Sequence, residues 1–270
     1  MTADSTPQSE PFVIVQATDL YPDADAILEH GIVFAHRTGG DLITLHVSGD
    51  LAEHPLSDPE KLLKNWSQEE LGIDHHSVVC RIDENPKKGL LKSVETNDAD
   101  LLIVGTRQQN EESQISGESV SEMVAIGAGM PTLVLHLGQP GLVTDEGNFE
   151  LKRVLLPVGD GEEARDAIRG LREMLVRLQI DDVDIHLLRV GDDEIIDHLT
   201  IPERDGWRWH REKRQGYVSN VIGEICEERD IDLVVMSTRG QDGIIDAFSG
   251  THTQKVIRRV PRPLLVIPMK

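Results

Sequence analysis

Residues 99–107 read ADLLIVGTR, and residues 231–239 read IDLVVMSTR. In each stretch an aspartate is followed by four apolar residues, and the stretch ends in Thr-Arg. A continuous run of Val, Leu and Ile without polar alternation is typical of a strand buried on both faces of a parallel sheet. The occurrence of one such strand twice in 270 residues predicts a duplicated α/β fold.

The spacing around these strands supports a duplication. Asp100 precedes Asp232 by the same 132 positions that separate Pro131 from Pro263. Upstream, small insertions interrupt the match, but residues 12–19 still resemble 154–160, and residues 42–47 resemble 185–190. Self-similarity at a fixed offset is the sequence signature of a repeated structural unit. The chain is therefore predicted to contain two tandem repeats.

Within each repeat, short apolar runs alternate with longer amphipathic segments, which predicts parallel βαβ units. The predicted strands of the first repeat lie near 12–18, 42–48, 77–82, 100–105 and 132–137, and its helices near 23–37, 58–71, 86–97 and 117–128. The second repeat has predicted helices near 162–178, 216–229 and 250–259.

The predicted boundaries follow from polar and turn-rich segments. Residues 1–10 are polar and are expected to be disordered, and residues 139–150 carry turn residues without periodicity, so they are predicted to be a linker. The two repeats then occupy residues 11–138 and 151–270.

Composition limits the classes of partner. The net charge of −21 argues against general nucleic-acid binding, and no apolar run approaches the roughly 20 residues of a membrane span. The two cysteines, Cys80 and Cys226, lie far apart inside periodic segments, so both are expected to be buried free thiols. This pattern predicts a cytoplasmic protein.

One region breaks the predicted symmetry. Residues 191–215 contain two of the three tryptophans and a group of four cationic residues, Arg208, Arg211, Lys213 and Arg214. The region is interpreted either as a solvated loop with a short edge strand or as a flap that covers a bound anion or base.

The candidate site lies at the strand ends of the second repeat, because ligands of open parallel sheets bind outside the carboxyl ends of the strands. Gly240 follows the fourth strand, and Gly250-Thr251 opens the last helix, whose first amides lack intrahelical partners. Neither GxxxxGK[ST] nor GxGxxG occurs here. From the residues alone, a phosphate cradle and a plain turn remain open.

This strand, glycine loop and helix resemble the universal stress protein family, whose nucleotide-binding members carry G-x2-G-x9-G-[ST]. The matching stretch is Ser237-Thr-Arg-Gly240, nine further residues, and Gly250-Thr251. The resemblance implies two repeats, each a five-stranded parallel sheet flanked by helices, of the adenine nucleotide alpha hydrolase-like, Rossmann-like type. It also implies binding of ATP, with or without Mg²⁺, or of a related adenine nucleotide in the second repeat.

Carried over by position, the resemblance implies two groups of contacts. The adenine side would be formed by Pro157, Val158, Gly159, Asp160, Val190 and Met236. Ser237 replaces the first motif glycine, and the phosphates and ribose would contact Gly240, Gly250, Thr251, His252 and Thr253. The aspartate of the family is displaced by one residue, with Gly159 in its register and Asp160 next.

The first repeat differs from the family motif in the opposite way, because it keeps the aspartate and lacks the two later glycines. It keeps Asp19 in the register of the family aspartate, but Gln108 and Glu118 stand where the second repeat has Gly240 and Gly250. A carboxylate at position 118 would repel phosphate oxygens. The first site is therefore predicted to be degenerate.

Three functions remain open. The first is a cytoplasmic nucleotide-binding sensor or regulator, the second a scaffold that acts through protein contacts without nucleotide, and the third a slow ATPase. No Ser-His-Asp order, HExxH motif or paired metal-ligand spacing appears, so no catalytic residue and no metal ligand is predicted. The resemblance implies that the last strands of the repeats pair, either in a pseudo-dimer within one chain or in a homodimer.

Overall fold

The computed structural model describes residues 11–20, 22–48, 59–66, 71, 75–107, 119–192, 194–238 and 252–269. Within these ranges the strands are β1 (Val13–Ala17), β2 (Asp41–Ser48), β3 (His76–Ile82), β4 (Leu101–Thr106), β5 (Thr132–His136), β6 (Arg153–Pro157), β7 (Val183–Val190), β8 (Trp207–Arg214), β9 (Leu233–Thr238) and β10 (Leu264–Pro268). The α-helices are α1 (Asp25–Thr38), α2 (Pro59–Asn65), α3 (Pro86–Thr96), α4 (Val120–Gly127), α5 (Gly161–Arg177), α6 (Val218–Glu228) and α7 (His252–Arg259).

The strands form one sheet in the order β3-β2-β1-β4-β5-β10-β9-β6-β7-β8. Pairing is parallel inside each repeat and antiparallel where β5 meets β10, with Val134 opposite Leu264. The two five-stranded halves therefore join through their last strands within a single chain. This arrangement confirms the predicted α/β class with tandem parallel sheets.

The core has one layer on each face of this sheet. One hydrophobic cluster combines β-strand residues such as Ile14 and Leu156 with α1 and α5, and the other combines Val15 and Leu155 with α3, α4, α6 and α7. Neighbouring strand residues thus face opposite layers that are both apolar. This explains why the strand sequences are continuously apolar rather than alternating.

Residues 139–150 contact α1 and contain an isolated bridge between Val143 and Phe149. The imidazole Nε2 of buried His30 accepts a hydrogen bond from the Leu142 amide at 2.8 Å. The rings of Phe34 and Phe149 meet edge to face, with centroids 5.6 Å apart. Leu142 and Val143 therefore belong to the hydrophobic cluster that α1 and α5 share. Residues 1–10, which are predicted to be disordered, lie outside the described part of the chain.

The interpretation of residues 191–215 as a flap is wrong. Their main element, β8, pairs in parallel register along the whole of β7, from Val183↔Trp207 to Val190↔Arg214, and is the edge-strand counterpart of β3. The cations hold this strand in place rather than reach a ligand. Arg208 pairs with Asp182 and Asp184, Lys213 with Asp197, Arg214 with Glu212 and Glu228, and Arg211 donates to the Leu199 carbonyl.

The prediction of two buried thiols is half wrong. Cys226 is buried on α6, and burial raises the pKa of its thiol to about 12. Cys80 is exposed, because β3 is the outermost strand of the sheet and part of its surface faces solvent. The position of a strand in the sheet order, which decided this difference, cannot be read from periodicity.

Candidate functional site

A cavity of about 540 Å³ opens at the carboxyl ends of β6, β7 and β9. The helices that follow the neighbouring strands β6 and β9, α5 and α7, pack on opposite faces of the sheet, which creates the crevice typical of open α/β sheets. The lining residues are Pro157, Val158, Gly159, Glu163, Leu188, Arg189, Val190, Val218, Met236, Ser237, Thr238, His252 and Thr253.

The structure brings together most of the residues that the sequence proposed for the second repeat. Pro157, Val158, Gly159, Val190, Met236, Ser237, His252 and Thr253 all line the cavity. Three others, Gly240, Gly250 and Thr251, lie outside the described residues.

The remaining candidate, Asp160, serves the helix instead of the cavity. It is the N-cap of α5, and its Oδ1 accepts hydrogen bonds from the amides of Glu162 at 3.0 Å and Glu163 at 2.9 Å. A capping carboxylate satisfies amides that have no partner in the first turn and interacts favourably with the helix dipole. Asp160 is absent from the cavity lining.

Two charged residues of the cavity were missed by the sequence analysis. The first is Arg189 on β7, whose Nη1 donates to the carbonyls of Val158 at 3.1 Å and Gly159 at 2.7 Å and so holds the loop after β6. The second is Glu163 in the first turn of α5. The available signals were the equivalence of Arg189 with His46 in the two repeats and the position of Glu163 in the first turn of the helix that follows β6.

The loop after β6 is also connected to β9. The hydroxyl of Ser237 donates to the main-chain carbonyl of Glu163 at 3.1 Å, so the start of α5 is fixed to the end of β9. The Val158 amide donates to the Leu188 carbonyl at 2.8 Å, which continues the β6–β7 pairing into the cavity wall. The described walls of the cavity are thus built from mutually bonded elements.

The first repeat retains a cavity of about 610 Å³ at the equivalent place. At its rim Arg107 binds two carboxylates, Asp19 and Asp23, and its Nε and Nη2 reach the two oxygens of Asp23 at 2.9 and 2.6 Å. The hydrogen bond from Arg107 lowers the pKa of Asp23 below its usual value. Two carboxylates around one guanidinium leave an anionic rim, which disfavours phosphate. Gln108 and Glu118 lie outside the described residues.

Among the described residues, no group of three or more His, Cys, Asp or Glu side chains could hold a metal ion. The same part of the chain contains no helix of the length and hydropathy that a membrane crossing requires. Among the described residues that line the second cavity, Arg189 and Glu163 carry the charged side chains.

Comparison with known proteins supports the relationship that the sequence suggested. The model of the universal stress protein family matches residues 13–136 and 203–268. A universal stress protein of Methanocaldococcus jannaschii is 34% identical over 65 residues, which are 24% of this chain and 38% of the relative. One from Synechocystis sp. is 24% identical over 177 residues, which are 62% of this chain and 58% of the relative.

Among solved structures, the crystal structure of a universal stress protein from Archaeoglobus fulgidus superposes with a TM-score of 0.68 at 19% identity. The match covers 96% of this chain and 97% of that one, so the likeness extends over both halves of the fold. The matched segments span 38% and 58% of the two curated relatives named above.

Proposed function

The chain belongs to the universal stress protein family, and we propose that its C-terminal repeat binds ATP, with or without Mg²⁺, or a related adenine nucleotide. In this proposal the protein acts as a sensor or regulator in the cytoplasm. The observation that carries it is the cavity at the ends of β6, β7 and β9, which the first residues of α7 also line. Its volume of about 540 Å³ lies within the range of small-molecule sites.

The inner part of this cavity suits a planar base. Val158, Val190 and Met236 contribute apolar surface, and Met236 and Val158 are almost fully buried. An aromatic ring gains free energy by leaving water for such a surface, and a methionine side chain adapts to the face or edge of a ring. Main-chain groups at the strand ends would supply the polar contacts.

The outer part suits an anion. His252 and Thr253 line the cavity and begin α7, whose eight residues end in Arg258 and Arg259. The first amides of a helix have no intrahelical partners and point outward along the axis, where the helix dipole favours negative charge. The sequence that precedes them carries the Gly240 and Gly250-Thr251 spacing.

A magnesium ion would assist the binding of a triphosphate. A chain with a net charge of −21 repels a triphosphate at long range, so any phosphate site must rest on local donors. Mg²⁺ would reduce the charge of the triphosphate, and it is usually held by phosphate oxygens and water with few protein ligands. The absence of a three-ligand cluster among the described residues is compatible with such binding.

Calorimetry with ATP in the presence and absence of Mg²⁺ tests the proposal. Gly250→Glu, which copies Glu118 of the first repeat, is expected to weaken binding at least about tenfold through like-charge repulsion and bulk. Gly243→Glu is the matched control, since it adds the same charge to the same stretch outside the motif. Failure of the parent to bind, or equal binding by the Gly250 variant, would overturn the proposal.

The same variants and measurements distinguish the proposed function from two others. A scaffold without nucleotide would be purified without bound nucleotide, as judged by native mass spectrometry, and would show no calorimetric signal. A slow ATPase would release phosphate at a rate that Gly250→Glu abolishes. The proposed sensor instead binds ATP and leaves it intact over the course of the titration.

A further inference from the structure

Gly159 and Asp19 occupy the same position in the two repeats. Ala17 of β1 pairs with Leu45, and Pro157 of β6 pairs with Leu188, so the register of the first two strands is the same in both halves. Two residues further on, the first repeat places Asp19 at the rim of its cavity, whereas the second places Gly159 there. The second repeat thus lacks a side chain where the first has a carboxylate.

The carboxylate of Glu163 covers this position. A Cβ atom added to Gly159 would lie 1.8 Å from Glu163 Oε2 and 3.1 Å from Glu163 Cδ. A side chain at 159 and the carboxylate of Glu163 therefore exclude each other in this arrangement. The glycine leaves room for a carboxylate that arrives from α5 instead of from the strand end.

The backbone of Glu163 is held from two sides. Its amide donates to Asp160 Oδ1 at 2.9 Å, and its carbonyl accepts a hydrogen bond from Ser237 at 3.1 Å. These bonds involve main-chain atoms of Glu163, so its side chain is not needed for them. Its carboxylate lines the same cavity as Val158, Val190 and Met236.

We propose that Glu163 is the specificity-determining residue of the C-terminal repeat and accepts a hydrogen bond from the exocyclic amino group of adenine. This inference rests on the proposed nucleotide-binding function. An ionised carboxylate only accepts hydrogen bonds. It matches the amino group of adenine and opposes the carbonyl oxygen that hypoxanthine carries at the same ring position.

The first repeat suggests the alternative role for Glu163, which is an ion pair with an arginine. Asp23 follows Asp19 by the same four positions that separate Glu163 from Gly159, and it gives its carboxylate to Arg107. The counterpart of Arg107 in the second repeat is Arg239, which lies outside the described residues. A Glu163 that served only such an ion pair would affect the affinity for ATP and ITP equally.

The experiment compares ATP with ITP by calorimetry on the full chain. The parent is expected to prefer ATP by about tenfold or more, because a carboxylate that is covered by the bound base and left without a donor is costly. Glu163→Met keeps the length of the side chain and removes the acceptor, so the preference should fall to about one. Glu162→Met removes the same charge from the neighbouring exposed position and should leave the preference unchanged.

A swap of the carboxylate completes the test. Gly159→Asp alone should weaken ATP binding, because the new side chain displaces Glu163. The double variant Gly159→Asp/Glu163→Ala, in which the short side chain at 163 leaves room for the aspartate, should recover the preference for ATP. If the parent binds ATP but Glu163→Met keeps the parental ATP-to-ITP ratio, the role of Glu163 is refuted and the proposed function stands. If the parent binds neither nucleotide, both are refuted.

Discussion

His46 and Arg189 occupy the same position in the two repeats, and each binds the main-chain carbonyl that follows the first strand of its repeat. The Nδ1 atom of His46 lies 2.9 Å from the Thr18 carbonyl oxygen, and Arg189 Nη1 lies 3.1 Å from the Val158 carbonyl oxygen. Different side chains thus perform the same structural task at both cavities. The loop after the first strand is held to the second strand in each half.

Replacement of Arg189 tests this role. Arg189→Ala removes the donors to Val158 and Gly159 and is expected to lower the free energy of unfolding by about 1–3 kcal/mol, with a weaker affinity for ATP. Arg189→His copies the first repeat and should lose less than the alanine variant in both measurements. Chemical denaturation and calorimetry provide the readouts, and equal losses in the two variants would contradict the shared role.

Acidification should destabilise the protein through His30. Its Nδ1 donates to the Ala26 carbonyl at 2.6 Å and its Nε2 accepts from Leu142, so the buried ring must be neutral, and burial lowers its pKa to about 4. Because the folded pKa lies below the unfolded value of 6.5, stability is full above pH 6.5 and falls as the pH drops toward 4. The loss between pH 7 and pH 5 is about 2 kcal/mol.

His30→Gln is the reference for that measurement. Other histidines with lowered pKa values, His76, His136 and His186, act in the same direction and remain in the variant. The change in unfolding free energy between pH 7 and pH 5, measured by urea denaturation, should therefore be smaller in His30→Gln than in the parent. Identical pH dependence would show that His30 titrates normally.

An ion pair between a buried carboxylate and a partly exposed arginine connects the two repeats across the β5–β10 seam. Glu122 on α4 is only 2% exposed, and one of its oxygens lies 2.9 Å from the guanidinium of Arg258 on α7. Arg258→Met leaves the buried carboxylate without this partner and is expected to cost about 3 kcal/mol. The double variant Glu122→Leu/Arg258→Met should regain most of that loss in thermal or urea unfolding, whereas additive losses would argue against coupling.

Thiol labelling should distinguish the two cysteines. Cys80 is exposed on the edge strand, whereas Cys226 is buried and the pKa of its thiol is raised to about 12. A maleimide reagent is expected to modify one thiol per folded chain and two in denaturant, as counted by mass spectrometry. Cys80→Ser should abolish labelling of the folded protein, and modification of Cys226 under native conditions would contradict the packing of α6.

The fold was largely predictable because its strands are buried on both faces and occur twice. The repeated ADLLIVGTR and IDLVVMSTR stretches became β4 and β9, and the apolar runs around them became the other central strands. The edge strand β3 was also predicted, near 77–82, whereas an edge strand was only one of two interpretations of residues 191–215, which contain β8. β8 reads WRWHREKR and has only one buried residue, Trp207, so its sequence resembles a solvated loop until β7 pairs with it.

The candidate site, like the fold, was only partly predictable from the sequence. Sequence alone predicted that the ends of β6, β7 and β9 and the start of α7 converge in the second repeat, because strand direction and connection order place them at one edge of the sheet. It could not determine that Asp160 caps α5 or that the carboxylate of Glu163 covers Gly159. Those relationships depend on the angle at which a helix leaves its strand and on which side chains then compete for the same space, and only tertiary packing decides that competition.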